Sequence, residues 1–363
     1  MFIHQLAKWP AFTWDSRQLA AKLGEVRHLQ GKILGQMAAF GFKAQEEAML
    51  EALTLDVVKS SEIEGKLLSE EQVRSSIARR LGIAIAGTVA TGRDVEGVVE
   101  MMLDATQKYD QPLSKNRIFG WHAALFPTGH SGIYSIKVAE WRDGPMEVVS
   151  GPMGREMVHF TAPIAEKVPD EMNVFLTWLN ATQELDPVIK AAIAHLWFVT
   201  IHPFDDGNGR IARAIADMQL AHADQSKQRF YSMSAQILKE QKGYYEILES
   251  TQRDGIDITN WLEWFLNCLF QAMEQTGLSM SKILDRIKFW EKHRDQVFNQ
   301  RQRKMLEMLL ENFFGKLNVS KWATMTKAST DTALRDIQDL LKKDILEQEK
   351  SGGRSTSYRL KLQ

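Results

Sequence analysis

Apolar positions recur at helical spacing along most of the chain, and the breaks between runs fall at residues that start or stop helices. Asp15 or Ser16 opens a run predicting a helix to about residue 40, and a second run spans 43–58. Ser69, with Gln72 three residues on, forms a capping-box signature for a helix through Arg80. The small residues of 81–90 predict a loop, and helices follow over 93–109 and 115–126, the second capped by Ser114. Between residues 133 and 163 the period shortens. Gly132, Gly144, Pro145, Gly151, Pro152 and Gly154 punctuate the runs Met146-Glu-Val-Val and Glu156-Met-Val-His-Phe, predicting a small hairpin. Helical spacing returns over 168–180, 188–200, 210–223, 239–249, 257–273 and 282–298; the 188–200 run is apolar all round and predicts a buried helix. The Trp9-Pro10-Ala11-Phe12-Thr13-Trp14 cluster reads as aromatic packing that pins the amino-terminal segment to the fold. His122, on an apolar helix face, reads as a hydrogen-bonded core residue.

The last sixty residues change again. Runs at 301–312, 319–326 and 330–342 predict three short helices, and 345–349 and 357–361 predict two strands. That order suits a winged helix-turn-helix. The segment carries 13 Lys and Arg to 8 Asp and Glu, a modest excess compatible with DNA but equally with dimer or protein contacts. The pattern as a whole is mainly α.

Composition adds bounds. At 363 residues, 44% hydrophobic and 25% charged, the chain has the make-up of a soluble globular protein with room for two or three domains. A net charge of -1 provides no global attraction to nucleic acid or membrane. Cys268 lies in an apolar run and reads as a buried thiol. The first residues lack the features of a signal peptide and no run is long enough to span a bilayer, so the expected setting is cytoplasmic, with no membrane partner.

The chemistry concentrates between Ile201 and Arg213, Ile-His-Pro-Phe-Asp-Asp-Gly-Asn-Gly-Arg-Ile-Ala-Arg. Gly207 and Gly209 let backbone N–H groups face inward at a helix start, a nest suited to phosphate. Arg210 and Arg213, three apart, share a helix face. One of Asp205 and Asp206 would hold Mg²⁺ between phosphates, and His202 has a pKa suited to deprotonating a hydroxyl. These parts describe nucleotidyl or phosphoryl transfer.

This run resembles the Fic (fido) family motif, His-x-Phe-x-Asp/Glu-Gly-Asn-Gly-Arg-x-x-Arg, at all eight defining positions. The resemblance implies a helical Fic core with a β-hairpin flap. It also implies a protein adenylyltransferase that moves AMP from ATP to a Ser, Thr or Tyr hydroxyl of target proteins and itself, with Mg²⁺ or Mn²⁺. By that resemblance His202 is the general base, Phe204 an anchor and Asp206 the metal carboxylate. Gly207, Asn208 and Gly209 would hold the α- and β-phosphates, and Arg210 and Arg213 the distal ones. Ser60, Glu64 and Gly65 in Ser60-Ser61-Glu62-Ile63-Glu64-Gly65 match the family's inhibitory motif, Ser/Thr-x-x-x-Glu-Gly/Asn. The implied logic is a carboxylate that occupies Arg213 and leaves ATP poorly poised.

Further positions follow from the resemblance. The hairpin resembles the flap that pairs with a target's main chain, so Val158 and His159 would border the nucleotide. Tyr244 and Tyr245 would flank adenine and ribose, with Gln252 as a polar contact; the bland alternative for the tyrosines is core-edge packing. The implied domains are 1–110, helical and carrying the inhibitory motif and resembling the amino-terminal domain of one Fic subgroup; 111–280, the catalytic core; and 281–363, a linker helix and winged domain. In some relatives the same site removes AMP, and a homodimer fits the family. The rival reading is a DNA-binding transcriptional regulator whose Fic core senses nucleotide.

Overall fold

A computed structural model describes residues 1–85, 87–151, 155, 157–182, 184–311, 313, 315–349 and 356–361, with no side-chain account of 278–284 and 311. Pro152, Gly154 and Glu156 of the expected hairpin and 350–355 of the expected wing therefore lie outside the described residues. The chain is mainly helical and divides into two compact units, Met1–Thr276 and Gly277–Gln363. Among the described residues no helix is long and apolar enough to cross a membrane.

In the first unit α1 spans Ser16–Ala38, α2 Phe42–Ile63, α3 Glu70–Leu81, α4 Arg93–Gln107 and α5 Lys115–Leu125. Two short ladders follow. β1 (His130–Ser131) pairs with β2 (Tyr134–Ser135), and β3 (Glu147–Ser150) pairs antiparallel with β4 (Met157–Thr161), with an irregularity between Val148 and Val149. Then come α6 Val168–Asn180, α7 Pro187–Ile201, α8 Asn208–Asp224, α9 Met233–Lys239, α10 Gln241–Asp254 and α11 Thr259–Lys292, of which the part to Thr276 belongs to this unit. The centre of this unit is the pair α7 and α8, with α4 against α8 and α2 against α9. From Val188 to Ile201, α7 buries every residue but Lys190, because its apolar side chains cover the whole circumference.

Asp15 accepts from the backbone N–H groups of Arg17 and Gln18, which fixes the start of α1. Trp9 and Phe12 meet Trp197 edge-on, with Phe175 and Trp178 behind, so the amino-terminal aromatics pack as expected.

The structure departs from the pattern in four places. The capping box at Ser69 is half formed: Ser69 accepts from Gln72 N–H, but the Gln72 side chain accepts from Gly92 N–H at 3.2 Å, because the loop before α4 reaches it first. Helix α2 runs five residues beyond 58, which places Ser60 inside the helix and Glu64 at its cap. Helix α9, capped by Ser232, is an element the pattern did not single out. The runs 257–273 and 282–298 begin within one helix, α11, since the stretch between them contains a lone Gly277 and no proline. A glycine in a helix interior costs about 1 kcal/mol and does not end it.

The second unit contains α12 (Gln300–Glu311), α13 (Val319–Thr326) and α14 (Thr330–Lys342), then β5 (Leu346–Gln348) paired antiparallel with β6 (Tyr358–Leu360). Its core is formed by Met305, Leu306, Trp322, Ile337, Leu340 and Leu346. Several cations there are already matched: Arg301 with Asp336, Lys343 with Asp339, Lys361 with Asp344 and Arg359 with Glu347.

Candidate active site

Helix α7 stops because its cap, His202, takes a left-handed conformation (φ 52°, ψ 59°) and is followed by proline, which cannot continue the ladder. For a residue with a Cβ this conformation costs roughly 1–2 kcal/mol. Three features hold the loop that follows. Phe204, fully buried, stacks on His122 at 4.0 Å between ring centroids and packs on Trp141. The Asn208 side chain accepts from Phe204 N–H at 3.0 Å and donates to Phe204 O at 2.8 Å. Gly207 has φ 86°, and a Cβ there would meet the Phe126 ring at 2.8 Å. Gly207→Ala is therefore expected to lose about 1–3 kcal/mol of stability through backbone strain and the ring clash together. Urea denaturation measures this, and an unchanged midpoint would contradict it.

The loop orients its ionisable groups individually. His202 Nδ1 lies 3.0 Å from Val199 O. A carbonyl only accepts, so the proton sits on Nδ1 and Nε2 keeps its lone pair. Burial pushes the His202 pKa below 6.5, partly countered by the Val199 contact. Asp206 accepts from Gly207 N–H at 2.5 Å and from the Ser131 hydroxyl, with Arg210 3.8 Å away. Burial works to raise its pKa, but Ser131 and Arg210 outweigh that and hold it below 3.8. Asp205 is exposed and accepts from Lys137 N–H. His122 Nε2 donates to Asp206 O and Nδ1 accepts from Ala139 N–H, so it is a neutral brace with its pKa lowered to about 4, chiefly by burial. That matches its reading as a core histidine.

At the start of α8 two guanidiniums lie 2% exposed with unused donors: among the described residues, Arg210 Nε and Nη2 and Arg213 Nη1 have no hydrogen-bond partner. Buried N–H groups are almost always paired, so these donors are available to an anion. Arg213 is otherwise engaged by α2. Its Nε donates to Ser60 Oγ at 2.9 Å, and its Nη2 donates to Ser60 O and to Glu64 Oε1, both at 2.8 Å. A Cβ at position 209 would lie 2.2 Å from that Glu64 oxygen, so only glycine admits the carboxylate. Gly65, left-handed at φ 73°, turns the chain away immediately afterwards. Lys66 Nζ stands 5.1 Å from the Phe126 ring that also faces Arg210, and burial and Arg210 lower its pKa.

The outer residues differ from expectation. Tyr244 is 2% exposed, with its hydroxyl 2.9 Å from His195 Nε2 and its ring against Trp264, so it is core rather than a face open to adenine. Gln252 is likewise buried, its amide donating to Thr200 Oγ1. Tyr245 is partly exposed, and its hydroxyl reaches Ile63 O at 3.4 Å; with Gln241 on the same oxygen, it steadies the end of α2 beside Glu64. Asn208, expected to help hold the α- and β-phosphates, turns its side chain onto the Phe204 backbone. Val158 and His159 lie on β4 with their carbonyls held by Arg253, and His159 is bonded to Glu249 of α10. Sequence reasoning missed Ser131, Lys66 and Arg142, each remote from the central run; Arg142 Nε donates to His202 O at 2.8 Å.

Residues 112–220 match the model of the Fic/DOC family, and residues 2–83 match a domain of unknown function, DUF4172. The chain is 43% identical over 61 residues to the protein adenylyltransferase fic-1 of Caenorhabditis briggsae, covering 16% of this chain and 12% of that one. It is 29% identical over 195 residues to the protein adenylyltransferase Fic of Aedes aegypti, covering 50% and 34%. The match thus spans about a third of those relatives' length or less. In fold it is similar to a crystal structure of a Fic family protein from Desulfovibrio desulfuricans G20, with a TM-score of 0.56 and 20% identity over 94% of this chain and 95% of that one.

Proposed function

We propose that this chain, whose residues 112–220 match the Fic/DOC family model, transfers AMP from ATP to hydroxyl groups of target proteins and of itself. One observation carries the reading: buried guanidiniums with unpartnered N–H groups open the helix that follows a histidine whose free nitrogen is Nε2. The polyphosphate would lie on the backbone N–H groups at the start of α8, with its distal end on Arg210 and Arg213. The acceptor hydroxyl gives its proton to His202 Nε2 while its oxygen attacks the α-phosphorus. The bond from that phosphorus to the bridging oxygen breaks, and pyrophosphate leaves with the electron pair.

Among the described residues no cluster of three or more metal-ligating side chains occurs. That suits Mg²⁺, which is commonly held by one or two carboxylates and substrate phosphates, and the ionised Asp206 is the carboxylate that fits. Bound there, the ion would neutralise phosphate charge. The β3–β4 hairpin offers backbone for strand addition by an extended target segment, and Glu64 on Arg213 supports an inhibited resting state. The carboxy-terminal order of helices and hairpin supports a winged helix-turn-helix, but with Arg301, Arg359, Lys361 and Lys343 matched by acids the DNA-binding reading is the weaker one.

Two parallel incubations of the full chain test the proposal, one with ATP labelled at the α-phosphate and one with the label at the γ-phosphate. Retained α-label with an AMP mass shift is expected; retained γ-label alone would mean phosphate transfer and overturn it. Release of AMP from labelled protein by the wild type, but not by Glu64→Gly, would identify the reverse reaction. A pH profile adds a separate check. Because burial disfavours the imidazolium of His202 in the free protein, the base form persists below the ordinary 6.5, and the acid limb of kcat/KM should fall below that pH. A limb at or above 6.5 contradicts it.

A further inference from the structure

Arg142 lies in the segment between β2 and β3 and is only 3% exposed. Its guanidinium donates to three pieces of backbone at once. Nε reaches His202 O at 2.8 Å, Nη1 reaches Gly144 O at 2.8 Å, and Nη2 reaches Pro163 O, with Ile201 O at 3.5 Å. Its own backbone N–H adds a bond to Pro203 O at 3.0 Å. Gly144 stands just before β3 and Pro163 just after β4, so one side chain joins both feet of the hairpin to the end of α7. The attachment falls at the residue that pays for a left-handed backbone. Arginine suits this because its rigid planar fork can address several carbonyls in fixed directions, whereas a lysine ammonium cannot.

We propose that Arg142 is a positioning residue for the transfer reaction, holding the His202 imidazole and the hairpin in one fixed register so that base and acceptor hydroxyl meet at the same place. This rests on His202 being the base and on the hairpin aligning the acceptor. Arg142 reaches the chemistry through the His202 carbonyl and touches neither substrate nor phosphate. The other charged groups facing His202 are Glu64, at the end of α2, and Asp206, in its own loop.

The test uses the full chain in a Glu64→Gly background, which removes the inhibitory carboxylate. Arg142→Lys keeps the charge and loses the fork. It should lower kcat by about 10- to 100-fold, the scale of a small misplacement of reacting groups, while KM for ATP stays within about twofold because Arg210 and Arg213 are untouched. Arg142→Gln removes the cation as well, so its acid limb should also move to higher pH, since the imidazolium is no longer repelled. If Arg142→Gln fails to fold, Arg142→Lys decides alone. A kcat for Arg142→Lys within twofold of the parent, or a loss fully accounted for by the fraction of unfolded protein, overturns the inference. A His202→Ala control that still transfers overturns the functional reading and this inference with it; an inactive control beside an unaffected Arg142→Lys overturns the inference only.

Discussion

His202→Ala in the full chain should abolish ATP-dependent labelling from the α-phosphate while leaving ATP binding nearly intact. The size of the loss follows from the role. A positioned general base contributes about 10²–10⁴-fold, and the nearby histidines and Asp206 are poorly placed to replace it. His122 is braced between Asp206 O and Ala139 N–H, His195 is buried against Tyr244, and Asp206 is held ionised by Ser131 and Arg210. The fold should survive, because the ring contributes one hydrogen bond to Val199 O and the buried loop contacts belong to Phe204 and Asn208. An alanine at 202 still carries the left-handed backbone, so a modest loss of stability is expected with the activity loss. The discriminating measurement is single-turnover transfer alongside equilibrium binding of a non-hydrolysable ATP analogue. Transfer retained within tenfold would remove the histidine from the mechanism, whereas loss of binding equal to the loss of transfer would make it a ligand contact instead.

Contiguity decided what could be read from sequence. The thirteen residues from Ile201 to Arg213 carry their chemistry in one turn, so their spacing alone placed a base, a carboxylate and two guanidiniums together. Ser60 and Glu64 were legible only through the match to the family's inhibitory motif, since the predicted helix stopped at 58; the longer α2 is what brings both to Arg213. Arg142 and Ser131 were not, since each acts through a contact made only by folding, and a lone Arg or Ser leaves no periodic signature. Tyr244 and Gln252 show the opposite difficulty. An aromatic near a helix start, or an amide near its end, looks the same whether it meets a ligand or a buried side chain, and here His195 and Thr200 supply the partners. The buried α7 was plain because thirteen nearly uninterrupted apolar residues can only be covered on every side, while α11 was read as two helices although no proline falls between the two runs.

Glu64→Gly should raise transfer, and the geometry bounds the gain. The carboxylate sits 2.8 Å from Arg213 Nη2 and fills the space left by the absent Cβ of Gly209. A hydrogen bond between charged groups contributes about 1.5–3 kcal/mol, but the Glu64 side chain is 30% exposed, so solvent screening favours the lower part of that range. Removing it should therefore increase the population with a free Arg213 by roughly tenfold or somewhat more. The gain belongs in kcat rather than in KM if the carboxylate chiefly mis-poises bound ATP, and in both if it also blocks entry. Arg213 keeps its bonds to Ser60, so it should stay aimed at the site without ligand. Glu64→Gln separates charge from bulk: it retains the volume beside Gly209 and loses the charge, so it should activate less than glycine if occupancy of the pocket matters and equally if only the ion pair does. Rates unchanged in both variants would mean that α2 does not restrain the site, and the Arg213 contact would then be a structural tie between two helices.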